Sequence, residues 1–247
     1  MARIPRIPFH FHAEGHALSG EIHEPVWYPI PAKASVSLAT IGGQAEAHHE
    51  FFSAHEFLSF QRAFTHVAGR RVAKDTFVTH MTTSIIGLDI EGILKADRIT
   101  CRLTSTHDPK HPEGVILSNG SAFENLRILG HRVDVFLRHK LLSEFDTFDK
   151  FRKRVETEKK SGKIAKFTPE VAVCTLVERI ESDLPFIPKD VGYIFEVPNF
   201  GQVTVAEIFA EKGTRTLTML HLELGSPQTA NLTVGEGRTN GQPPPTP

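Results

Sequence analysis

Cysteine is nearly absent. Cys101 and Cys174 are the only two in 247 residues, which excludes a disulfide framework and leaves either one bridge or two reduced, half-buried thiols. There is no CxxC pair, so a zinc site of that kind is excluded as well. Tryptophan occurs once and tyrosine twice, against eighteen phenylalanines. Phe brings apolar area without a polar handle and suits dry cores and dry interfaces, so the scarcity of Trp and Tyr argues against a carbohydrate-binding surface. No charge of one sign is in excess. Lys and Arg number 28 against 29 Asp and Glu, a formal net charge of -1, which argues against a general nucleic-acid binder. An apolar run of the ~18 residues that a membrane span needs is missing. The opening "MARIPRIPFHFH" lacks the apolar core and small-residue cleavage site of a secretory signal. The expectation is a soluble chain without a membrane span, cytoplasmic by default, and secreted or surface-bound only if a signal was removed.

What is present is mostly strand-like. Residues 9–23 alternate, with polar residues on even positions through His16 and apolar ones on even positions from Leu18. That phase change predicts a β-bulge at Gly15–Ala17. "EPVWYPIPAK" carries three prolines and reads as an extended loop or an edge. "SVSLATI" alternates and stops at Gly42–Gly43, a strand and a turn. Residues 44–60 fit a helix, because Phe57, Phe60 and Phe64 share a helical face; they also fit two strands, which the Ser/Thr/Val content after Leu58 favours, and strands are chosen. "DTFVTHMTTSIIGLDIEGILKADRITCRLTSTH" is rich in Thr, Ile and Val, and "SNGS" and "ILGHR" are turn signals between later strand-like runs. Further on come "PEVAVCTLVERI" as one alternating strand, a three-strand meander over Tyr193–Val197, Gln202–Ala210 and Arg215–Leu224, and a closing strand in "ANLTVGEGRTNG".

A single helix stands out, a helical insertion over about residues 143–163. Ser143 and Asp146 make an S-x-x-D capping box, with Asp146 or Thr147 as alternative caps. Phe148, Phe151 and Val155 then recur at helical spacing, and "KKSGK" closes the run. The expectation is a mainly β fold, a β-sandwich or a solenoid-like stack of about ten to fourteen strands with that one insertion. It forms one domain over residues 1–235, followed by a Gly/Pro-rich tail over 236–247.

The chemistry to weigh lies in the histidines. Of 14, eight precede residue 70: His10, His12, His16, His23, His48, His49, His55 and His66. On a strand, residues two apart point to the same side about 6.6 Å apart. His10, His12, Glu14 and His16 therefore form a candidate metal set for zinc or iron. His48, His49, His55 and His66 are candidates for a sheet to bring near. The other reading is ordinary alternation, with Phe9, Phe11 and Ala13 facing a core and the histidines facing outward. A third is a pH-responsive surface. "HFHAEGH" departs from both the HxH-and-Glu spacing of cupins and the HxHxDH motif of metallo-β-lactamase-like hydrolases. There is no nucleophile elbow, P-loop or dinucleotide fingerprint, and Asp89, Glu91 and Asp97 sit in strand-like runs as solvent-facing carboxylates.

Three stretches carry a resemblance. They are Ala96, Asp97, Ile99 and Thr100; then Gly120, Ser121, Asn125, Leu126, Arg127 and Gly130; then Gly201, Val203, Val205, Glu207, Leu217, Thr218 and Leu220. In this order the chain resembles uncharacterised bacterial proteins of the choice-of-anchor P type over roughly residues 80–235. The resemblance implies a β-rich domain and supplies no activity. No complete catalytic motif is present, so the first functional reading is non-enzymatic: a structural, self-associating or binding protein, with a homo-oligomer as the expected partner. The alternatives are a metal-dependent enzyme using the histidine strand and a binder of a small apolar ligand.

Overall fold

The computed structural model describes residues 9–145, 147–160, 166–185, 193–225 and 229–242. Antiparallel strands dominate it. β1 (His10–Ile22), β2 (Tyr28–Lys33) and β3 (Val36–Ser37) open a first sheet. β4 (Gly43–Ala54), β5 (Leu58–Ala73), β6 (Thr76–Ile90), β7 (Leu94–Asp108), β8 (His111–Leu117), β9 (Ala122–Glu124), β10 (Arg127–Ile128) and β11 (His131–Leu137) build a second. After α1 (Phe148–Lys160), β12 (Lys166–Phe167) and β13 (Val171–Thr175) return to the first sheet, and β14 (Val177–Ser182) joins the second. β15 (Ile194–Val197), β16 (Gly201–Glu211), β17 (Thr214–Leu224) and β18 (Ala230–Gln242) complete the first. Its order is β12-β13-β16-β17-β18-β1-β2, with β15 beside β16 and β3 beside β1. The second sheet runs β14-β11-β10-β7-β6-β5-β4, with β8 and β9 on β7.

The sheets pack face to face, so of the two expected arrangements the sandwich is the one formed. Alternation decides which side chains meet between them. Phe9 stacks on Phe77 of the other sheet with ring centroids 4.5 Å apart. Cys101 Sγ donates to the carbonyl of Leu217 across the gap at 3.5 Å. A Cβ at Gly237 would stand 1.6 Å from Met81 Cε, so any larger residue there displaces the end of that side chain. The interior also holds hydroxyls, two pairs of which bond to each other: Thr65 with Thr83 at 2.7 Å and Ser105 with Thr239 at 3.2 Å.

Each sheet carries a row of phase changes in register. In the second sheet the buried parity flips at Phe51, Gln61, Gly87 and Asp97 of β4 to β7, and the regular pairing skips these positions. Phe51 and Gly87 have positive φ, and the Gln61 side chain fills the space where a Gly87 Cβ would lie. In the first sheet the flip crosses Ala17, Gly235, Met219 and Ala206. The phase change expected at Gly15–Ala17 thus falls at Ala17–Leu18, and it belongs to the whole sheet rather than to one strand.

Other expectations are corrected in detail. Residues 44–60 are strand, a turn and strand, as chosen. "SVSLATI" yields only the two-residue β3, after which Leu38 N–H donates to Ala13 and Gly42 N–H closes a turn on Ala39. "PEVAVCTLVERI" is two strands in opposite sheets, hinged at buried Leu176, which bonds to Ala206 in one sheet and Arg138 in the other. α1 is capped by Thr147, whose hydroxyl accepts from Lys150 N–H at 3.4 Å. Asp146 and residues 161–163 of the expected insertion lie outside the described residues. Residues 236–242 of the expected tail are strand, because β18 runs to Gln242; residues 243–247 lie outside the described residues.

Candidate functional site

The histidine strand is β1, and its alternation is real: Phe9, Phe11 and Ala13 are buried while His10, His12, Glu14 and His16 line the outer face of the first sheet. The contacts of these side chains run in pairs. Glu14 lies 3.8 Å from His12 Nε2 and 3.3 Å from the Arg238 guanidinium on β18. His16 Nε2 is 2.8 Å from the Ser19 hydroxyl. Burial pushes the His16 pKa below its ordinary value, against the opposing pull of Glu236 and Glu14. Among the described residues, no three His, Cys, Asp or Glu side chains are grouped closely enough to hold a metal ion.

His23 follows β1 in the first sheet, with Nε2 3.5 Å from Glu21, and the other early histidines are dispersed over the second sheet. His48 faces out beside Phe64, whereas His49 points in against Phe60 with ring centroids 5.7 Å apart. His55 sits in the β4–β5 turn, edge-on to Tyr28 at 5.7 Å. His66 neighbours His80 at 6.3 Å. His80 is held between hydroxyls, Nδ1 at 3.0 Å from Thr104 and Nε2 at 2.9 Å from Thr82. Burial lowers its pKa, and the Arg102 and His66 charges add to that.

The other chemical candidates have structural work. Asp89 accepts from Gly92 N–H at 2.8 Å and pairs with Lys95 at 2.8 Å, fixing the β6–β7 turn. Asp97 accepts from Asn125 at 3.2 Å, and Ser121 exchanges hydrogen bonds with the Arg102 backbone, tying β9 to β7. Cys174 is buried and its thiol is pushed up to about 12; burial also pushes the buried Cys101 thiol well up, so both are inert at neutral pH. An open cavity of about 380 Å³ lies at the start of α1 among Glu113, Asp149, Glu170 and Glu211. Glu113 is committed there: it accepts from the Phe148 N–H at 2.8 Å and faces the buried Arg215 at 4.0 Å.

One lateral side of the sandwich differs from all of this. It is made by β2 at the edge of the first sheet and β4 at the edge of the second. Lys33 of β2 sits 4.3 Å over the Phe52 ring of β4, and Tyr28 meets His55, so the two edges lie side by side. The most exposed large apolar side chains lie in β4 or in the connections leading into β2 and β4: Val26 (70%), Trp27 (62%) and Ile41 (70%) before the strands and Phe51 (70%) within β4. Sequence reading missed this site, because exposure of an apolar residue is decided by which strand ends a sheet. The available signal was the Val-Trp pair set among prolines.

A family model described as a domain of unknown function (DUF8256) matches residues 9–171, and the chain belongs to that family. The match takes in β1 to β12 and α1, and ends where β13 begins. No curated protein and no solved structure matches the chain.

Proposed function

We propose that this member of the DUF8256 family is a non-enzymatic β-sandwich that works through its β2–β4 side, associating there with a second copy of itself. The exposure of Val26, Trp27, Ile41 and Phe51 on that one side carries the reading. Isolated exposed apolar residues are normal on a soluble surface; the four largest exposures falling in β4 and the connections into β2 and β4 support a contact surface there. The Phe-rich, Trp-poor composition supports it, since Phe suits a dry interface. So does the dispersal of histidines and carboxylates into pairs that hold turns and strands.

Light scattering over a dilution series tests it. The expected result is a mass above 27.5 kDa that falls toward that value on dilution, and a Trp27→Ser/Phe51→Ser variant that stays at 27.5 kDa throughout. A wild-type protein that remains at monomer mass at every concentration rules the reading out.

A further inference from the structure

Edge strands offer unpaired N–H and C=O groups, and natural sheets blunt them with prolines, short length or charge. Among the described residues, three of the four strands that end the main path of the two sheets are blunted. β2 has Pro29 and Pro31, β12 has two residues, and β14 is a six-residue strand bearing Glu178, Arg179 and Glu181. β4 is twelve residues long, free of proline and, among the described residues, paired on one side only, with β5. From Gly43 to Glu50 it is regular: Gln44, Glu46, His48 and Glu50 face out, while Ala45, Ala47 and His49 face the core side.

Resting on the self-association reading, we infer that β4 pairs antiparallel with β4 of a second copy, across a two-fold axis at Ala47, to join the two second sheets into one. Register follows from side-chain chemistry. With Ala47 at the axis, Glu46 of each copy stands opposite His48 of the other, Ala45 opposite His49, and Gln44 opposite Glu50. The acidic Glu46 opposite the basic His48, twice across the axis, favours pairing, and the other two pairs set no like charges against each other. Shifting the axis to His48 sets Glu46 against Glu50, like charge against like, which opposes it. A half-step shift puts outward His48 on the same side as inward Ala47, mixing the apolar and charged rows. An axis at His49 runs the strand into the kink at Phe51, where the facing parity flips.

The ends of the strand agree with the same axis. Gly43 then lies opposite Phe51, and Ile41 follows it. Nothing lies within 4 Å of the position a Gly43 Cβ would take, so there is open space for the exposed Phe51 ring of the other copy. The exposed Phe51 within β4 and Ile41 just before it thus cover each other reciprocally, as a two-fold interface requires. Main-chain ladder bonds supply the affinity and the Glu46–His48 and Phe51–Gly43 pairs supply the register.

Cysteine cross-linking tests this, helped by native thiols that are both buried. Residues facing themselves across an antiparallel pair have Cα atoms about 4.5–5.5 Å apart, within disulfide range. Under mild oxidation Ala47→Cys is expected to convert most of the chain to a covalent dimer with a circular dichroism spectrum like wild type, and Trp27→Cys to stay largely single. Glu46→Lys is expected to lose the non-covalent dimer, and Glu46→Lys/His48→Glu to regain it. A concentration-dependent mass with cross-linking at Trp27 and not Ala47, or equally at both, overturns the β4 pairing and leaves self-association standing. The same holds if the double swap fails to restore the dimer while folding normally. A wild-type protein that is monomeric throughout overturns both.

Discussion

β2 and β4 lie side by side at the same flank of the sandwich, yet they end their sheets in opposite ways. β2 is six residues with prolines at 29 and 31, and its pairing to β1 is interrupted by a register shift between Leu18 and Gly20. β4 is twice as long and its ladder to β5 is regular from Gly43 to Glu50. Proline removes the N–H that an incoming strand would use, so β2 resists extension while β4 invites it. Two edges exposed to the same solvent are therefore not equivalent, and the difference is written in a few backbone groups rather than in hydrophobicity.

The largest effect is expected from breaking the joint that holds β2 in place. Gly20 has φ +148°, and a Cβ there would lie 2.1 Å from the backbone oxygen of Asn231 on β18. Gly20→Ala should destabilise the fold by more than about 3 kcal/mol, lowering Tm by roughly 6–12 °C in a chain of this size, as calorimetry would record. A Tm within a degree of wild type would mean that β1 reaches β18 differently.

An intermediate effect sharpens the contrast between the edges. Pro29→Val/Pro31→Val gives β2 the amide donors it lacks. Monomer stability should change by only about 1 kcal/mol, while sedimentation should reveal species larger than a dimer, because a second edge has opened. Unchanged mass would show that length and the Leu18–Gly20 irregularity, not proline, close that edge.

The smallest effect separates the faces from the edges. The folded pKa of His80 lies below its ordinary value of 6.5, chiefly through burial. The neutral ring is favoured in the folded state, so its contribution to stability is complete above pH 6.5 and is lost as pH falls from there toward the lowered value. His80→Gln should flatten the stability-versus-pH curve over that acidic range in chemical unfolding, without changing association. A curve parallel to wild type would place the acid sensitivity on another group, with His16 next, since burial lowers it in the same direction.

Much of the fold was legible. Strict alternation in residues 9–16 and "RITCRLTST" named strands and their inward faces, since a period of two follows from the pleat alone. Spacing of Phe148, Phe151 and Val155 named the helix for the same kind of reason, and all three are buried. "PEVAVCTLVERI" misled because alternation reports the phase of a strand and not its partner, so the crossing between sheets at Leu176 left no mark. Aligned phase changes at Phe51, Gln61, Gly87 and Asp97 were invisible one strand at a time.

The candidate site divides along the same line. The alternation of His10, His12, Glu14 and His16 followed from the chain itself, but what each side chain meets did not. Arg238, the partner of Glu14, is 224 positions away along the chain, a distance that the β1–β18 pairing closes. By itself the sequence determined a mainly β chain, the faces of its strands, one helix and the chemical poverty of its cysteines, because these depend on local periodicity and composition. Only the tertiary structure decided which strands end the sheets, and so where Trp27 and Phe51 stand in solvent, because an edge is defined by the neighbour a strand does not have.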